Sequence, residues 1–571
     1  MEPGLLRRIG AAALLVLLTT SLPANPGFWD RRPNEEVVEL LLQEMRDEEL
    51  LGQVFMLGYR GTEPDAEMMA WIGRSSLGGV KIFSRNVDTL EALQRSILEM
   101  QRRSLESRFQ IPLLIATDQE GGWVRHIKAE TSTTPGNLAL GASGLPLDAF
   151  MTGYYIGREL SALGINMNFA PTIDIYSNPD AAVIGPRAFS SDPGVTTLLA
   201  LAYFKGMASS GVVATAKHFP GHGQAATDSH GTLPVVQTTL KDLWDRELLP
   251  YRILIQEGLP AVMSGHLAYP RILGDLTPAS RSRYFATELL RQRLGFEGVL
   301  VTDDLEMNGA ISGGLDSVEA GRLCLEAGSD LILISHTRRV QEKAWDALLT
   351  AMAEDPAFRQ RVREAARRVL ILKLRTFKEA SVLPPAAETI GPEKILPGLP
   401  TPADLPIEGA AGFFRQSALR SVTLIDRGIL PYTPAPEERI LLIGQFSTFL
   451  TAGQERYPRA DSLYFPYAPF YFSLPEQRAR IGAAADKYDT LIFCLANYNS
   501  LEILQSLKDL GKQIIVVSAL TPVYLREADW VESSLAVYGT DYNSFAAGFA
   551  VLRGDYSPEG DLPIDLGRSR P

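Results

Sequence analysis

At 571 residues, the chain is long for a single core, and its 46% hydrophobic and 21% charged residues are those of a folded protein, so two globular units behind an N-terminal leader are expected. A formal net charge of −12 argues against nucleic acid as a partner, which would want a basic face. Cys324 and Cys494, the only two cysteines, each sit in an apolar segment and read as buried free thiols, with no spacing that suggests zinc.

In chain order, residues 1–24 come first: Arg7 and Arg8 precede the apolar run from Ala11 to Leu18, followed by Leu22-Pro23-Ala24 or Thr19-Thr20-Ser21 as a cleavage region. This is a secretory signal in outline, so a periplasmic, envelope or secreted location is expected. Leu22 stands where a small residue is preferred and Glu2 lies in the basic region, which leaves an uncut N-terminal anchor open. The run is short for a membrane span, and no other segment has the unbroken apolar length to cross a bilayer.

From residue 32 to 379, short apolar runs alternate with amphipathic stretches. Eight strands are expected: Gln53–Leu57, Gly79–Phe83, Pro112–Thr117, Asn166–Ile175, Val212–Lys217, Ala261–Gly265, Gly298–Thr302 and Asp330–Ser335. Helical segments lie between most of them, among them Thr89–Arg103, Asp148–Leu163, Thr196–Ser209, Leu240–Glu257, Thr287–Leu294 and Ser317–Ala327. Eight such units predict an α/β fold of the (β/α)8 TIM-like barrel type. Polar residues follow most of the strands: Arg60, Asp118-Gln119-Glu120, Asp174, Lys217-His218, His266 and Asp303-Asp304. An open doubly wound sheet would gather its site at one crevice, whereas this distribution suits the C-terminal mouth of a closed barrel.

Helical periodicity continues through Pro356–Lys378, and the proline-punctuated residues 380–411 then read as a linker. Residues 412–571 predict a smaller α/β domain with strands at Val422–Ile425, Ile440–Ile443, Thr490–Cys494, Gln513–Val517 and Leu535–Tyr538 and a helix at Leu501–Leu510. It contains no histidine, so chemistry is expected in the first domain.

The histidines are uneven: of six, His218, His222, His230 and His266 fall at or near strand ends. After Val299-Leu300-Val301-Thr302, Asp303 and Asp304 are adjacent acids, of which strand alternation lets only one point inward; that one is a candidate nucleophile. Asp228-Ser229-His230 sets a carboxylate beside an imidazole in a glycine-flanked loop, and an Asp partner orients the ring as an acid/base near neutral pH. A nucleophilic carboxylate plus a proton donor is the minimum for retaining glycoside cleavage. Zinc ligation by His218, His222, Asp228 and His230 is disfavoured, because Pro220, Gly221 and Gly223 prevent a helix that would put the rings on one face. Ser264-Gly265-His266 lacks the glycine pattern of a nucleophile elbow. Asp118, Arg187, Lys217 and His218 could supply charged hydrogen bonds to sugar hydroxyls.

Lys217-His218-Phe219-Pro220-Gly221-His222-Gly223, Asp228-Ser229-His230, Asp118-Gln119-Glu120-Gly121-Gly122, Ile184-Gly185-Pro186-Arg187-Ala188-Phe189-Ser190 and Thr302-Asp303-Asp304-Leu305-Glu306-Met307 together resemble glycoside hydrolase family three, in its β-N-acetylhexosaminidase branch. The resemblance covers Asn34 to Lys378, and Phe545-Ala546-Ala547 and Pro558–Pro563 extend it more loosely into the second domain. It implies a covalent glycosyl intermediate on Asp303, His230 supported by Asp228 as general acid/base, and Asp118, Arg187, Lys217 and His218 as contacts to the terminal sugar. The glucosidase branch takes its acid/base, a glutamate, from the second domain, and the Asp-Ser-His triplet points away from it. One departure stands out: where the family carries Arg-Val-x-Arg after Glu-Gly-Gly, this chain has Trp123-Val124-Arg125-His126, so either Arg125 substitutes or that sugar contact is altered.

The expected activity is an exo-acting retaining β-N-acetylglucosaminidase on cell-wall muropeptides or chitin oligosaccharides, a small carbohydrate partner with no cofactor and no metal. A related β-glucosidase, a phosphorolytic reaction and a non-catalytic glycan-binding envelope protein are the alternatives. The sequence leaves the oligomeric state open.

Overall fold

The computed structural model describes residues 27–128, 130–181, 183–229, 231–379, 402–467 and 473–567. Eight parallel strands close into a barrel: β1 (Phe55–Gly58), β2 (Gly79–Lys81), β3 (Leu114–Thr117), β4 (Met167–Asn168), β5 (Val213–Phe219), β6 (Ala261–Ser264), β7 (Val299–Asp304) and β8 (Leu331–Ile334). Each pairs with its neighbours in sequence, and β8 returns to β1. The expected (β/α)8 barrel is therefore the fold.

Strand alternation divides the hydrophobic residues into two layers. Met56, Leu114, Ala116, Met167, Val213, Ala261, Met263, Val299, Val301, Leu331 and Leu333 fill the barrel together with Phe169, Val369 and Leu372. Val80, Ile115, Ala216, Val262, Leu300 and Ile332 face the surrounding helices. Because Val369 and Leu372 on the helix Pro356–Leu374 join the first residues of several strands, the N-terminal end is plugged with apolar side chains. The opposite end is left for polar groups.

Helix ends follow local signals. Asp192 and Asp355 cap the helices Pro193–Ser209 and Pro356–Leu374 with their carboxylates, each with proline at the first helical position. The expected single helix Leu240–Glu257 is instead two, Leu240–Asp245 and Leu248–Gln256. Pro250 accounts for this, since its ring would meet the carbonyl four residues earlier, at Arg246. The expected strand Asn166–Ile175 pairs only over Met167–Asn168, because Pro171 has no N–H for the ladder; Thr172 resumes contact as a bridge to Lys217.

The second unit begins with the helix Ala410–Ser421, and residues 380–401 of the expected linker lie outside the described residues. Its strands are β9 (Thr423–Asp426), β10 (Ile440–Gly444), β11 (Asp461–Tyr464), β12 (Thr490–Leu495), β13 (Gln513–Ser518) and β14 (Ser533–Ala536). They form one sheet in the order β9-β14-β13-β12-β10-β11, parallel except for the β9–β14 pair. The exposed edge strand β11 lacks an apolar run and was not expected from the sequence.

The two units share a hydrophobic cluster in which Leu138, Tyr176, Ile184 and Ala188 meet Val523, Tyr538, Ile564 and Leu566. Arg420 clasps Asp148 through two hydrogen bonds of 3.0 and 2.7 Å, and Ser190 donates to the Pro563 carbonyl at 2.6 Å. No helix among the described residues is long and apolar enough to cross a membrane.

Candidate active site

At the C-terminal mouth of the barrel lies a cavity of about 340 Å³. Asp118, Arg187, Lys217, His218, Asp228 and Asp303 all line it, together with Lys81, Glu120, His126, His222, Asp304 and His336. His230 lies outside the described residues. His266, grouped with the site histidines from its position after a strand, is buried behind the cavity, with Nδ1 2.8 Å from Ser280 Oγ and Nε2 3.2 Å from the Asp304 carbonyl.

Two irregularities in strand register build the wall. Between β5 and β6 the pairing passes from Ala216↔Val262 to Phe219↔Ser264, three residues against two. Between β7 and β8 it passes from Val301↔Leu331 to Asp304↔Leu333, again three against two. A bulge of this kind re-aims the side chains it contains, which is why Lys217 and His218, and likewise Asp303 and Asp304, line the cavity as adjacent pairs. The expectation that only one of Asp303 and Asp304 would face in is corrected by the second bulge.

Asp118, Glu120, Arg187 and Lys217 form one ionic network. Arg187 donates to Glu120 in a bidentate pair of 2.9 and 2.7 Å, and Lys217 Nζ reaches Asp118 Oδ1 at 2.5 Å and Glu120 Oε1 at 2.7 Å. Lys217 and Glu120 are 2% and 1% exposed, so each charge survives only because the others are present. Burial works to raise the Glu120 carboxyl, but Arg187 and Lys217 outweigh it and bring it down to about 2. Asp118 is held well below the carboxylate range in the same way, against burial, by Lys217, Lys81 and His126. For Lys217, burial is outweighed by Asp118 and Glu120, and the ammonium sits above its ordinary value.

Asp174 supports this layer from beneath. Its carboxylate receives His218 Nδ1 at 2.7 Å and the backbone N–H of His222 at 2.6 Å, while Arg187 Nη2 lies 3.2 Å from His218 Nε2. His218 is thereby fixed through both ring nitrogens. Burial, then His218, press the His222 imidazole down to about 4, and its buried Nδ1 has no hydrogen-bond partner among the described residues. Among the described residues no group of three or more His, Cys, Asp or Glu is arranged to hold a metal ion.

Asp303 accepts the Asp304 N–H at 2.8 Å through Oδ1, and Oδ2 accepts no hydrogen bond from the described residues. Burial alone would raise its pKa, yet the imidazoles of His218 and His266, the Asp304 N–H and Lys217 bring it below the ordinary aspartate value. It is an ionised carboxylate with an oxygen to spare. Asp304 is the opposite: Oδ1 accepts the Glu306 N–H at 2.9 Å, Oδ2 accepts Ser335 Oγ–H, and burial raises it to about 7.

The Glu-Gly-Gly stretch forms a ribbon, Gln119–Gly121 paired with Val124–Arg125, that swings Glu120 and His126 over the mouth. Its turn needs Gly122, where φ is +57° and a Cβ would stand 2.7 Å from Gly136 Cα. His126 Nε2 lies 3.5 Å from Asp118 Oδ2, whereas Arg125 points away, donating to the Ser132 carbonyl at 3.1 Å and lining a separate crevice with Asp541 and Tyr542. Arg125 therefore does not line this cavity, and His126 takes the place beside Asp118.

Sequence reasoning passed over Lys81, which had a signal: a lysine inside the apolar run Val80-Lys81-Ile82-Phe83, where a buried charge is tolerated only when paired. The sequence places Glu120 and Asp174 at strand ends, but the partners that define them, Arg187 and Lys217 for the one and His218 for the other, lie far away in the chain.

The model of the glycosyl hydrolase family 3 N terminal domain matches residues 35–372. Beta-hexosaminidase A of Pseudoalteromonas piscicida is 33% identical over 380 residues, covering 60% of this chain and 63% of that protein, so the chain spans less than two thirds of that relative. The beta-hexosaminidase of Idiomarina loihiensis is 35% identical over 308 residues, covering 53% of this chain and 90% of its own. The solved glycoside hydrolase family 3 beta-N-acetylglucosaminidase from Paenibacillus sp. str. FPU-7 superposes with a TM-score of 0.81 at 30% identity, covering 91% of this chain and 99% of that one. Barrel, second domain and matched residues agree: this chain belongs to glycosyl hydrolase family 3.

Proposed function

We propose that the protein is an exo-acting β-N-acetylglucosaminidase that removes one terminal β-linked N-acetylglucosamine with retention of configuration. The observation that carries this reading is the ionised, half-satisfied carboxylate of Asp303 in the same small cavity as the Asp118–Lys217–Glu120–Arg187 network. A cavity of about 340 Å³ lies at the low end for ligand sites and suits a single terminal sugar. The names of the hexosaminidase relatives support the N-acetyl preference.

In this mechanism Asp303 Oδ2 attacks the anomeric carbon as the glycosidic C–O bond breaks, and the His230 imidazolium gives its proton to the departing oxygen. Asp228, which lines the cavity, orients and charges that ring. The neutral imidazole then takes a proton from water, whose oxygen attacks the same carbon and releases Asp303. Asp118, Arg187, Lys217 and His218 hold the sugar. The N-terminal leader suggests export, and an envelope location favours muropeptides or chitin fragments as the substrate class.

A panel of aryl β-glycosides with and without the N-acetyl group, with product stereochemistry followed by NMR, tests the reading. Release of N-acetylglucosamine as the β-anomer is expected. Faster cleavage of the glucoside, or initial release of the α-anomer, overturns it.

A further inference from the structure

Lys81 occupies an inward position of β2, in step with Gly79, and is 5% exposed. Its ammonium is bonded to Asp118 Oδ2 and lies 4.7 and 4.8 Å from the ring centroids of Phe83 and Phe169. That is its one hydrogen bond among the described residues, so two of its three N–H donors are unspent in the wall of the cavity. Lys217, by comparison, spends two of its donors on Asp118 and Glu120. Removing an ammonium from water costs several kcal/mol, here offset by one carboxylate and two aromatic faces. A ligand oxygen entering the cavity can take up the donors that Asp118 leaves free.

His126 competes for the same oxygen from farther out. Its Nε2 is 3.5 Å from Asp118 Oδ2, its Nδ1 is 3.2 Å from Ser84 Oγ, and its ring packs 5.1 Å from Phe83. A longer, permanently charged side chain at position 126 would reach Asp118 Oδ2 directly. The second cation on Asp118 thus comes from β2 and not from the ribbon.

We infer that Lys81 is a sugar-binding residue of this cavity, donating to the hydroxyl that Asp118 accepts from and supplying the charge that an arginine at position 126 would otherwise bring. This rests on the sugar-cleaving reading above. A hydroxyl both donates and accepts, so the Asp118–Lys81 pair would recognise it from both sides and reject a sugar that lacks it.

The test compares wild type, K81M and K81M/H126R on an aryl N-acetylglucosaminide and on its 3-, 4- and 6-deoxy analogues. K81M should raise KM about tenfold or more while kcat changes much less, the fold-change of one charged hydrogen bond. For one deoxy analogue the wild-type penalty should largely vanish in K81M, a coupling that a purely structural lysine would not produce. K81M/H126R should recover to within roughly threefold of the wild-type KM, a remainder of under 1 kcal/mol. An unchanged KM in K81M, or deoxy penalties that persist in full, overturns the inference. If K81M does not fold, the neutral K81Q gives the same readout. If the wild type prefers another aryl glycoside, the N-acetyl reading fails and the Lys81 comparison is made on that glycoside; if it cleaves none, calorimetric titration with free N-acetylglucosamine replaces KM.

Discussion

Asp303 and Asp304 are consecutive on β7 and line one cavity, yet their acidities are driven apart, the first below an ordinary aspartate and the second up to about 7. Both are buried, which raises both. At Asp303 the imidazoles of His218 and His266 and Lys217 reverse that; at Asp304 burial, with Glu306 and Asp303 adding to it, prevails over Lys81 although His336 Nε2 lies 3.3 Å from Oδ2. Divergent acidity in neighbouring carboxyls is how one site separates an anionic role from a neutral one.

Replacing each acid in turn distinguishes these roles. Asp303→Asn should lower kcat on an aryl N-acetylglucosaminide by about 10³-fold or more, the scale of losing a nucleophile. Asp304→Asn should cost at least about tenfold less, since it removes a supporting hydrogen-bond acceptor and not the attacking oxygen. Equal losses at the two positions, with equal melting temperatures, would refute the assignment.

The same shifts set the pH dependence of stability. Glu120, lowered from 4.5 to about 2, contributes stability that is fully present above pH 4.5 and lost as the pH falls through 2; Asp118, Asp174 and Asp303 act in the same direction. Asp304, raised from 3.8 to about 7, works oppositely: its contribution is present below pH 3.8 and lost as the pH rises through 7. Between pH 4 and pH 8, denaturant titrations should therefore show the stability of wild type relative to Asp304→Asn falling as the pH rises; the opposing contribution of the lowered His222 is present in both proteins and drops out of that difference.

Removing Glu120 should be costly apart from catalysis. Glu120→Ala leaves Arg187 and Lys217 with an unbalanced buried charge, and destabilisation of about 3–5 kcal/mol is expected from urea unfolding. A loss under about 1 kcal/mol would mean that water or Asp118 compensates, and that the network is softer than its distances suggest.

The domains are coupled through Arg420 and Asp148, the latter 3% exposed. Arg420→Ala strands that carboxylate at the junction, and scanning calorimetry should show a lowered first transition that separates from the second as the sheet domain unfolds earlier. Destabilisation of about 3 kcal/mol is expected for breaking a buried pair from one side. A single transition at the wild-type temperature would place the coupling in the shared apolar cluster instead.

What could be read from the chain alone was whatever depends on neighbours in sequence. The eight apolar runs and the helix Ser317–Ala327 follow from local periodicity, and so does the presence of Asp118, Lys217, His218 and Asp303 at strand ends, whereas the helix expected from Thr196 begins at Pro193, capped by Asp192. Tertiary structure decided which side chains meet. Lys81, Asp118, Arg187 and Lys217 come from different strands and loops, and their ion pairs exist only once the barrel closes. The bulges on β5 and β7 are equally invisible locally, because a register is a property of two strands, and it is the register that turned two adjacent acids toward one cavity.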